Sequence, residues 1–193
     1  MRLFAAVRPP TSALDHLSTA LAAALGPRAD RSSPLQPRAN WHITLAFYGE
    51  VPGGAIPELA AELAANLDGI GQFRLELRGA GRFGRKTGWV GVGGDTAALE
   101  RLARAAAAAW PGSGGTSRAA GRRPRPHLTL SRAADRPATS LAFQALAVYV
   151  GPTWPVREVR LARSQLGQGP GRHSLYTDLA ALPLAAPAAG GAS

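Results

Sequence analysis

The chain has 193 residues, of which 46% are hydrophobic, so it is long enough for one sizeable core or for two small lobes that share one. It contains no cysteine, which excludes disulfides, zinc sites built on thiolates and cysteine nucleophiles. The net charge of +10 favours polyanionic partners such as nucleic acid, but Lys86 is the only lysine, so this charge is in part an arginine-rich composition bias and does not establish RNA binding.

The first elements in the chain are a short strand and an amphipathic helix. RLFAAV, residues 2–7, is apolar and too short for the core of a signal peptide, so we expect a cytoplasmic protein. The next segment places Leu14, Leu17, Leu21 and Leu25 on one helical stripe and ends at Gly26. Ser12 and Asp15 have the spacing of a capping box at its start.

The remaining chain predicts a mixture of strands and helices. Two further helices follow from Pro57 in a first-turn position and from Asp95 or Thr96 as a cap. The predicted strands, in chain order, are WHITLAFYG, QFRLELRG with KTGWVGVGG as its neighbour, PHLTL, LAFQALAVYV, PVREVRLARSQL and HSLYTDLAAL. We expect one domain over residues 1–183 and a flexible tail over residues 184–193.

The order of these elements indicates a duplicated unit. The series RLFAAV, capped helix, polar loop and WHITL is matched by GWVGV, capped helix, polar loop and PHLTL. The repeat, measured from WHITL to PHLTL, is much longer than the repeats of a solenoid. It suits two fused lobes related by a pseudo-two-fold axis. This symmetry would bring equivalent strands together across a central cleft between the lobes.

Each repeat carries one histidine and one threonine at the same spacing. Side chains alternate along a strand, so His42 and Thr44 share one face, as do His127 and Thr129, while the intervening apolar residues share the other. Polar groups left unpaired in a core reduce stability, so we expect these four side chains to line the cleft. A simpler interpretation is that they are two core histidines with neighbouring threonines.

Two opposed imidazoles can act as a proton donor and a proton acceptor near neutral pH, and two hydroxyls can bind the non-bridging oxygens of a phosphate. In-line displacement at phosphorus requires an acid and a base on opposite sides, which symmetric lobes would supply. A catalytic zinc takes three protein ligands, and neither motif contains a carboxylate, so we set a metal site aside. A serine or threonine nucleophile also fits poorly, because there is no acidic orienting residue and no G-x-S-x-G turn.

The paired H-x-T-L motifs, the RLFAAV start, and the WHITLAFYGEVP and RPHLTLSR blocks resemble the two-histidine phosphoesterases. Within them the sequence is most similar to the RNA 2′,3′-cyclic phosphodiesterases, also called 2′-5′ RNA ligases, from about residue 2 to about residue 183. The resemblance implies a bilobal α+β fold, with an antiparallel sheet and flanking helices in each lobe and the active site in the cleft between them. It implies hydrolysis of a terminal 2′,3′-cyclic phosphate to a 2′-phosphomonoester without metal or cofactor. It also implies that His42 is the proton donor and His127 the proton acceptor, that Thr44 and Thr129 bind the phosphate, and that the reverse reaction is 2′-5′ ligation.

Other residues near the motifs have two interpretations each. Many relatives carry an arginine near the phosphate at the position of Arg132, but strict alternation puts it on the leucine face, so only a bulge or a strand end would turn it inward. The arginines that precede the second motif could guide an RNA backbone or simply be solvated: Arg118, Arg122, Arg123 and Arg125. We expect Trp41 and Phe47 to pack in the core, although Phe47 could stack on a base.

The resemblance implies a monomer whose partner is RNA ending in a 2′,3′-cyclic phosphate, such as a tRNA half, with no membrane and no metal. Two hypotheses stay open beside this one. The first is an RNA-binding protein with little turnover. The second is a phosphodiesterase of small cyclic nucleotides or of 2′-5′ oligoadenylate, which would use the same residues.

Overall fold

The computed structural model describes residues 1–26, 35–110, 114–115, 125–132, 134 and 137–186. Four α-helices lie in these ranges: α1 (Thr11–Leu25), α2 (Ile56–Leu67), α3 (Thr96–Ala108) and α4 (Pro137–Ala145). Nine strands accompany them: β1 (Arg2–Val7), β2 (Ile43–Glu50), β3 (Phe73–Phe83), β4 (Thr87–Gly94), β5 (Gly114–Gly115), β6 (His127–Ser131), β7 (Trp154–Val156), β8 (Glu158–Gln165) and β9 (Leu175–Pro183). Among the described residues, no helix combines the length and apolar character needed to cross a membrane.

The strands form one antiparallel sheet whose order reflects the sequence repeat. Along the sheet the order is β7-β3-β4-β6-β2-β1-β8-β9, and β5 pairs with β2 outside this path. The first unit, β1-α1-β2, and the second, β4-α3-β6, therefore occupy equivalent positions on either side of the β2–β6 junction. The predicted α+β fold is confirmed, but the two predicted sheets are halves of a single sheet, because Ile43 of β2 pairs with Leu128 of β6.

The helices cover one face of the sheet. The first three helices present leucines to a continuous core, with Leu17, Leu59, Leu63 and Leu102 fully buried, and α4 contributes Ala142 and Phe143 to the same core. Full burial of such a side chain contributes roughly 1.5–3 kcal/mol, so these stripes hold the helices on the sheet. Among the described residues, the buried cluster on the opposite face is small: Phe4, Ala6 and Ala162, with Tyr176 packed against it. That second face is where the histidine motifs lie.

Helix caps agree with the sequence in one case and differ in the other. Asp95 caps α3 as predicted, since its side chain accepts a hydrogen bond from the backbone N–H of Ala98. The predicted capping box of α1 is wrong, because Pro10 is the N-cap residue and no side chain caps that end. Asp15 instead accepts a hydrogen bond from Arg38 at 2.5 Å.

Two predicted elements differ from the structure. LAFQALAVYV is not a strand: its first part belongs to α4 and Leu146–Val148 form a 3-10 turn. The segment 184–193 is not all tail, because Leu184 is 4% exposed within the core and the Ala185 N–H donates to the Ile70 carbonyl. The ordered fold thus extends beyond residue 183, and an apolar leucine with a place in the core accounts for it.

Candidate active site

The first histidine strand alternates as the sequence predicted. Ile43 and Leu45 of β2 are each 1% exposed and belong to the core, whereas His42 and Thr44 are only partly buried. His42 directly precedes the first residue of β2, so the strand direction already fixes which way its side chain points. The pair therefore lies on the face that the helices leave uncovered.

The second histidine strand repeats this arrangement. Leu128 and Leu130 of β6 are fully buried, and His127 and Thr129 are partly exposed. Ala106 of α3 and Ala142 of α4 are buried in the same core as these leucines. Neither histidine is sealed among apolar core residues, so the simpler interpretation as two core histidines is wrong.

The strand register brings the four polar residues together. Ile43 lies opposite Leu128 in an antiparallel pair, so one residue further along each strand His42 lies beside Thr129 and Thr44 beside His127. The two histidines are then diagonal neighbours on one face, a relation that separates residues by roughly 7–8 Å. Imidazole side chains rising from such positions can contact one phosphate from two sides. The pseudo-two-fold relation makes each half supply one histidine and one threonine.

Both imidazoles are held by the same backbone contact. The Nδ1 atom of His42 lies 2.7 Å from the Asn40 carbonyl oxygen, and Nδ1 of His127 lies 3.0 Å from the Arg125 carbonyl oxygen. A carbonyl can only accept, so Nδ1–H donates in each ring and Nε2 is left for chemistry. The residue two positions before each histidine thus sets its tautomer. Equivalent loops in the two halves perform the same task.

Aromatic rings fix the orientation of each imidazole further. The His42 ring centroid is 4.9 Å from that of Phe4 and 5.2 Å from that of Tyr176, which meets it edge-on. The His127 ring meets Phe83 edge-on at 4.8 Å. Packing of this kind restricts rotation of the rings and excludes water from one side. The sequence did not point to these three aromatic residues, because they lie on strands remote from the motifs.

Burial and nearby positive charge lower the pKa of both histidines. The pKa of His42 falls to about 4, mainly through burial and then through the positive charges of Arg8, His127 and Arg132, while the hydrogen bond to Asn40 acts in the opposite direction. Burial also lowers the pKa of His127, against the hydrogen bond to Arg125. Both rings are therefore mainly neutral at pH 7 before an anion binds. The positive charge around His42 favours an anion beside it.

A bulge in β6 directly precedes Arg132. The pairing of β4 with β6 shifts register between Gly88, which lies opposite Ser131, and Trp89, which lies opposite Thr129. Leu130 is the extra residue, and both it and Ser131 are fully buried, so alternation is broken there. Arg132 follows the end of β6, is exposed, and acts electrostatically on His42. Strict alternation had placed it on the leucine face, and the bulge is the physical reason for the difference.

Arg8 is a second cation that the sequence analysis missed. It follows β1 directly, where the pairing of Val7 with Ile43 places it beside His42. Its guanidinium donates to the Ala39 carbonyl and to the Asp178 carboxylate, the latter at 2.7 Å. The sequence did show an arginine at the end of an otherwise apolar strand. It did not show that β1 pairs with β2, and without that pairing Arg8 could not be assigned to the site of His42.

The other residues considered from sequence divide as follows. Trp41 is 5% exposed in the core, as predicted, but Phe47 is 51% exposed and 6.3 Å from the Phe4 ring, so the prediction that it packs in the core is wrong. Arg125 is exposed at the second motif, whereas Arg118, Arg122 and Arg123 lie outside the described residues. In the part of the chain that the structure describes, no three histidine, aspartate or glutamate side chains converge as metal ligands.

Comparison with known proteins identifies a family whose members are similar to this chain. A family model described as the 2′-5′ RNA ligase superfamily matches residues 9–168, a range that includes both histidine strands. A relative from Geobacillus stearothermophilus named RNA 2′,3′-cyclic phosphodiesterase is 34% identical over 152 residues, which are 75% of this chain and 46% of that protein. The chain thus spans about half the length of this curated relative.

Two solved structures share the fold. TT0787 of Thermus thermophilus has a TM-score of 0.67 and 26% identity, with 95% of this chain and 98% of that chain covered. LigT of E. coli in complex with NADP+ has a TM-score of 0.69 and 26% identity, with 95% and 97% covered. The resemblance stated from the motifs is confirmed by these matches, and the chain belongs to the 2′-5′ RNA ligase superfamily.

Proposed function

We propose that the protein hydrolyses the terminal 2′,3′-cyclic phosphate of RNA to a 2′-phosphomonoester by acid and base catalysis from two histidines. The observation that carries the proposal is the register of β2 and β6, which sets His42 and His127 diagonally on one uncovered face with Nε2 of each available. The choice of substrate rests on the family and on the name of the Geobacillus relative. Metal ions have no part in the proposed reaction.

The reaction breaks one bond and forms one bond at phosphorus. His127 accepts a proton from water at Nε2 while the water oxygen attacks phosphorus, and the bond from phosphorus to the 3′ oxygen breaks. His42 donates a proton from Nε2 to the departing 3′ oxygen. Thr44 and Thr129 donate hydrogen bonds to the non-bridging oxygens, and Arg132 offsets their negative charge. The same steps, with an RNA 5′-hydroxyl in place of water as the attacking group, form a 2′-5′ linkage and release the same 3′ oxygen.

The low pKa of His42 places a condition on its role as donor. Before substrate binds, its ring is neutral at pH 7, because it is buried among Arg8, Arg132 and His127. A phosphate anion between the histidines supplies a negative charge that raises the pKa again, so His42 acquires its proton as substrate binds. Substrate binding thus protonates the histidine that donates to the leaving group.

Phosphorus NMR tests the activity directly. RNA ending in a 2′,3′-cyclic phosphate is incubated with the protein in excess chelator, and we expect a 2′-monoester signal. His42→Ala and His127→Ala should each lose roughly a hundred- to ten-thousand-fold in rate. Loss of activity in chelator would indicate a metal mechanism, and tight RNA binding without turnover would indicate an RNA-binding protein instead.

A modified substrate separates the two histidine roles. When sulfur replaces the 3′ oxygen, the leaving group departs as a thiolate and needs no proton. We expect His42→Ala to recover most of its lost rate on this substrate and His127→Ala to recover none. Recovery by His127→Ala alone would reverse the two assignments while leaving the overall reaction intact.

A further inference from the structure

A second feature of the uncovered face is a groove of about 300 Å³ beside His127. Its lining includes Arg78, Gly79, Trp89, Gly91, Arg125 and Pro126. The groove is continuous with the histidine site in two ways. Gly91 pairs directly with His127 across β4 and β6, and the Arg125 carbonyl is the group that accepts from His127 Nδ1.

Glycines keep the floor of this groove open. Gly91 lies between His127 on one side and Arg78 on the other, so the three residues form a row across three strands. A Cβ atom on Gly91 would lie 2.8 Å from the Arg78 carbonyl oxygen. A Cβ atom on Gly81 would lie 2.5 Å from the Trp89 ring, so glycine there lets the indole lie against the sheet. The result is a trough that leads from the histidine toward Arg78.

Two guanidinium groups and an indole ring line the groove. Arg78 shares one contact with the Glu76 carboxylate at 3.3 Å, so Arg78, Arg125 and Glu76 together carry a net charge of +1. Arg78 keeps further N–H groups beyond that contact, because a guanidinium has five donors. The indole N–H of Trp89 is buried and has no acceptor among the described residues, which is unusual for a buried donor.

We propose that this groove binds the nucleotide that precedes the cyclic phosphate terminus of the RNA, with its phosphodiester between Arg78 and Arg125. The proposal rests on the proposed function, since it takes the terminal phosphate to lie between the histidines. Arg78 is two strands away from His127, a distance of roughly 10 Å, so the next phosphodiester of a chain anchored at the histidines lies within reach of its guanidinium. Trp89 forms an aromatic wall for the adjoining base.

The groove therefore assigns a direction to the RNA. The chain enters across β3 and β4 and ends at β2 and β6, which accommodates a substrate longer than one nucleotide. A mononucleoside 2′,3′-cyclic phosphate has no phosphodiester to place in the groove. Comparison of the two substrates separates the groove from the catalytic site.

The test uses Arg78→Met and Arg125→Met, which keep the aliphatic stems, and Arg104→Met on α3 as a control for charge loss elsewhere. We expect each groove variant to raise KM for a trinucleotide with a cyclic phosphate end about tenfold, and Arg78→Met to leave kcat unchanged. In Arg78→Met, KM for the mononucleoside 2′,3′-cyclic phosphate should stay as in the wild type. The slope of log Kd against log salt concentration should weaken by about 0.7 for the trinucleotide, the value for one lost phosphate contact on a single strand.

The other outcomes show separately whether the groove proposal or the proposed function is wrong. An equal rise in KM for both substrates would assign the arginines to the histidine site and refute RNA binding in the groove. Unchanged KM in both groove variants, or the same change in the Arg104→Met control, would also refute it. Failure of the wild type to hydrolyse either substrate would contradict the proposed function alone. The Kd of a trinucleotide ending in a 2′-phosphate needs no turnover, so an unchanged Kd in the groove variants would still refute the groove.

Discussion

Acid conditions should destabilise the protein through His42, and a single substitution should remove this effect. The folded protein holds the pKa of His42 at about 4, whereas an unfolded histidine has a value of 6.5. Between these values the unfolded chain binds a proton that the folded protein does not, so stability falls as the pH decreases. Above the unfolded pKa both states are neutral at this residue, and it makes no pH-dependent contribution. His42→Gln removes the titrating group while leaving a polar side chain.

The expected magnitude follows from these two pKa values. At about pH 5 the unfolded histidine is almost fully protonated and the folded one mainly neutral, which corresponds to a loss of about 2 kcal/mol relative to about pH 8. The loss continues to grow until the pH falls below about 4. The wild type should therefore lose about 2 kcal/mol more than His42→Gln over this interval.

Urea unfolding at the two pH values measures the free energy of unfolding for each protein. Thr44→Val is the matched control, because it alters the same face without removing the titrating group, and its pH dependence should follow the wild type. The reasoning is refuted if the wild type and His42→Gln lose equal stability. A midpoint near 6.5 for the His42 ring in an NMR titration would refute it independently.

Three other predictions follow from the site and the core. The pH optimum of kcat/KM should lie below 6.5, because burial lowers the pKa of His42 and His127 in the free protein, and an optimum above pH 7 in initial-rate measurements would contradict this. Leu63→Ala should reduce the free energy of unfolding by about 2–5 kcal/mol, because Leu63 is fully buried, and denaturant melts will show whether the loss is smaller. Asp95→Ala should destabilise by about 1 kcal/mol through loss of the bond to the Ala98 N–H, whereas Asp95→Asn should retain most of the stability in the same assay.

The elements that the sequence predicted well are those with a clear period. Alternation along β2 and β6 placed each histidine and threonine opposite the apolar residues, and the leucine stripe of α1 identified its buried face. LAFQALAVYV lacks a period of two, and an apolar run of this length suits either a strand or a buried helix. Ala142, Phe143 and Leu146 are buried in the core, a spacing that a helix and the turn after it provide.

The residues that the sequence misjudged depend on contacts between distant segments. The pairing of β4 with β6 creates a bulge that breaks alternation just before Arg132, and no local pattern encodes that register. Phe4 of β1 and Tyr176 of β9 contact the His42 ring, although both are distant from the motif in the sequence. Asp15 had the spacing of a capping box with Ser12 but pairs with Arg38 instead, since Pro10 and not Ser12 is the N-cap residue.

The sequence by itself determined the duplicated order of elements, and its motifs indicated the α+β class through their resemblance to a family. It also determined the side of each motif strand on which His42 and His127 lie, because this follows from alternation within a few residues. Only the tertiary structure decided that β2 and β6 are neighbours in one sheet, that Arg8 and Arg132 surround His42, and that Gly91 opens a groove beside His127. The physical reason is that strand pairing and burial join residues far apart in the chain. The pKa of each histidine, and with it the chemistry of the site, is set by that packing.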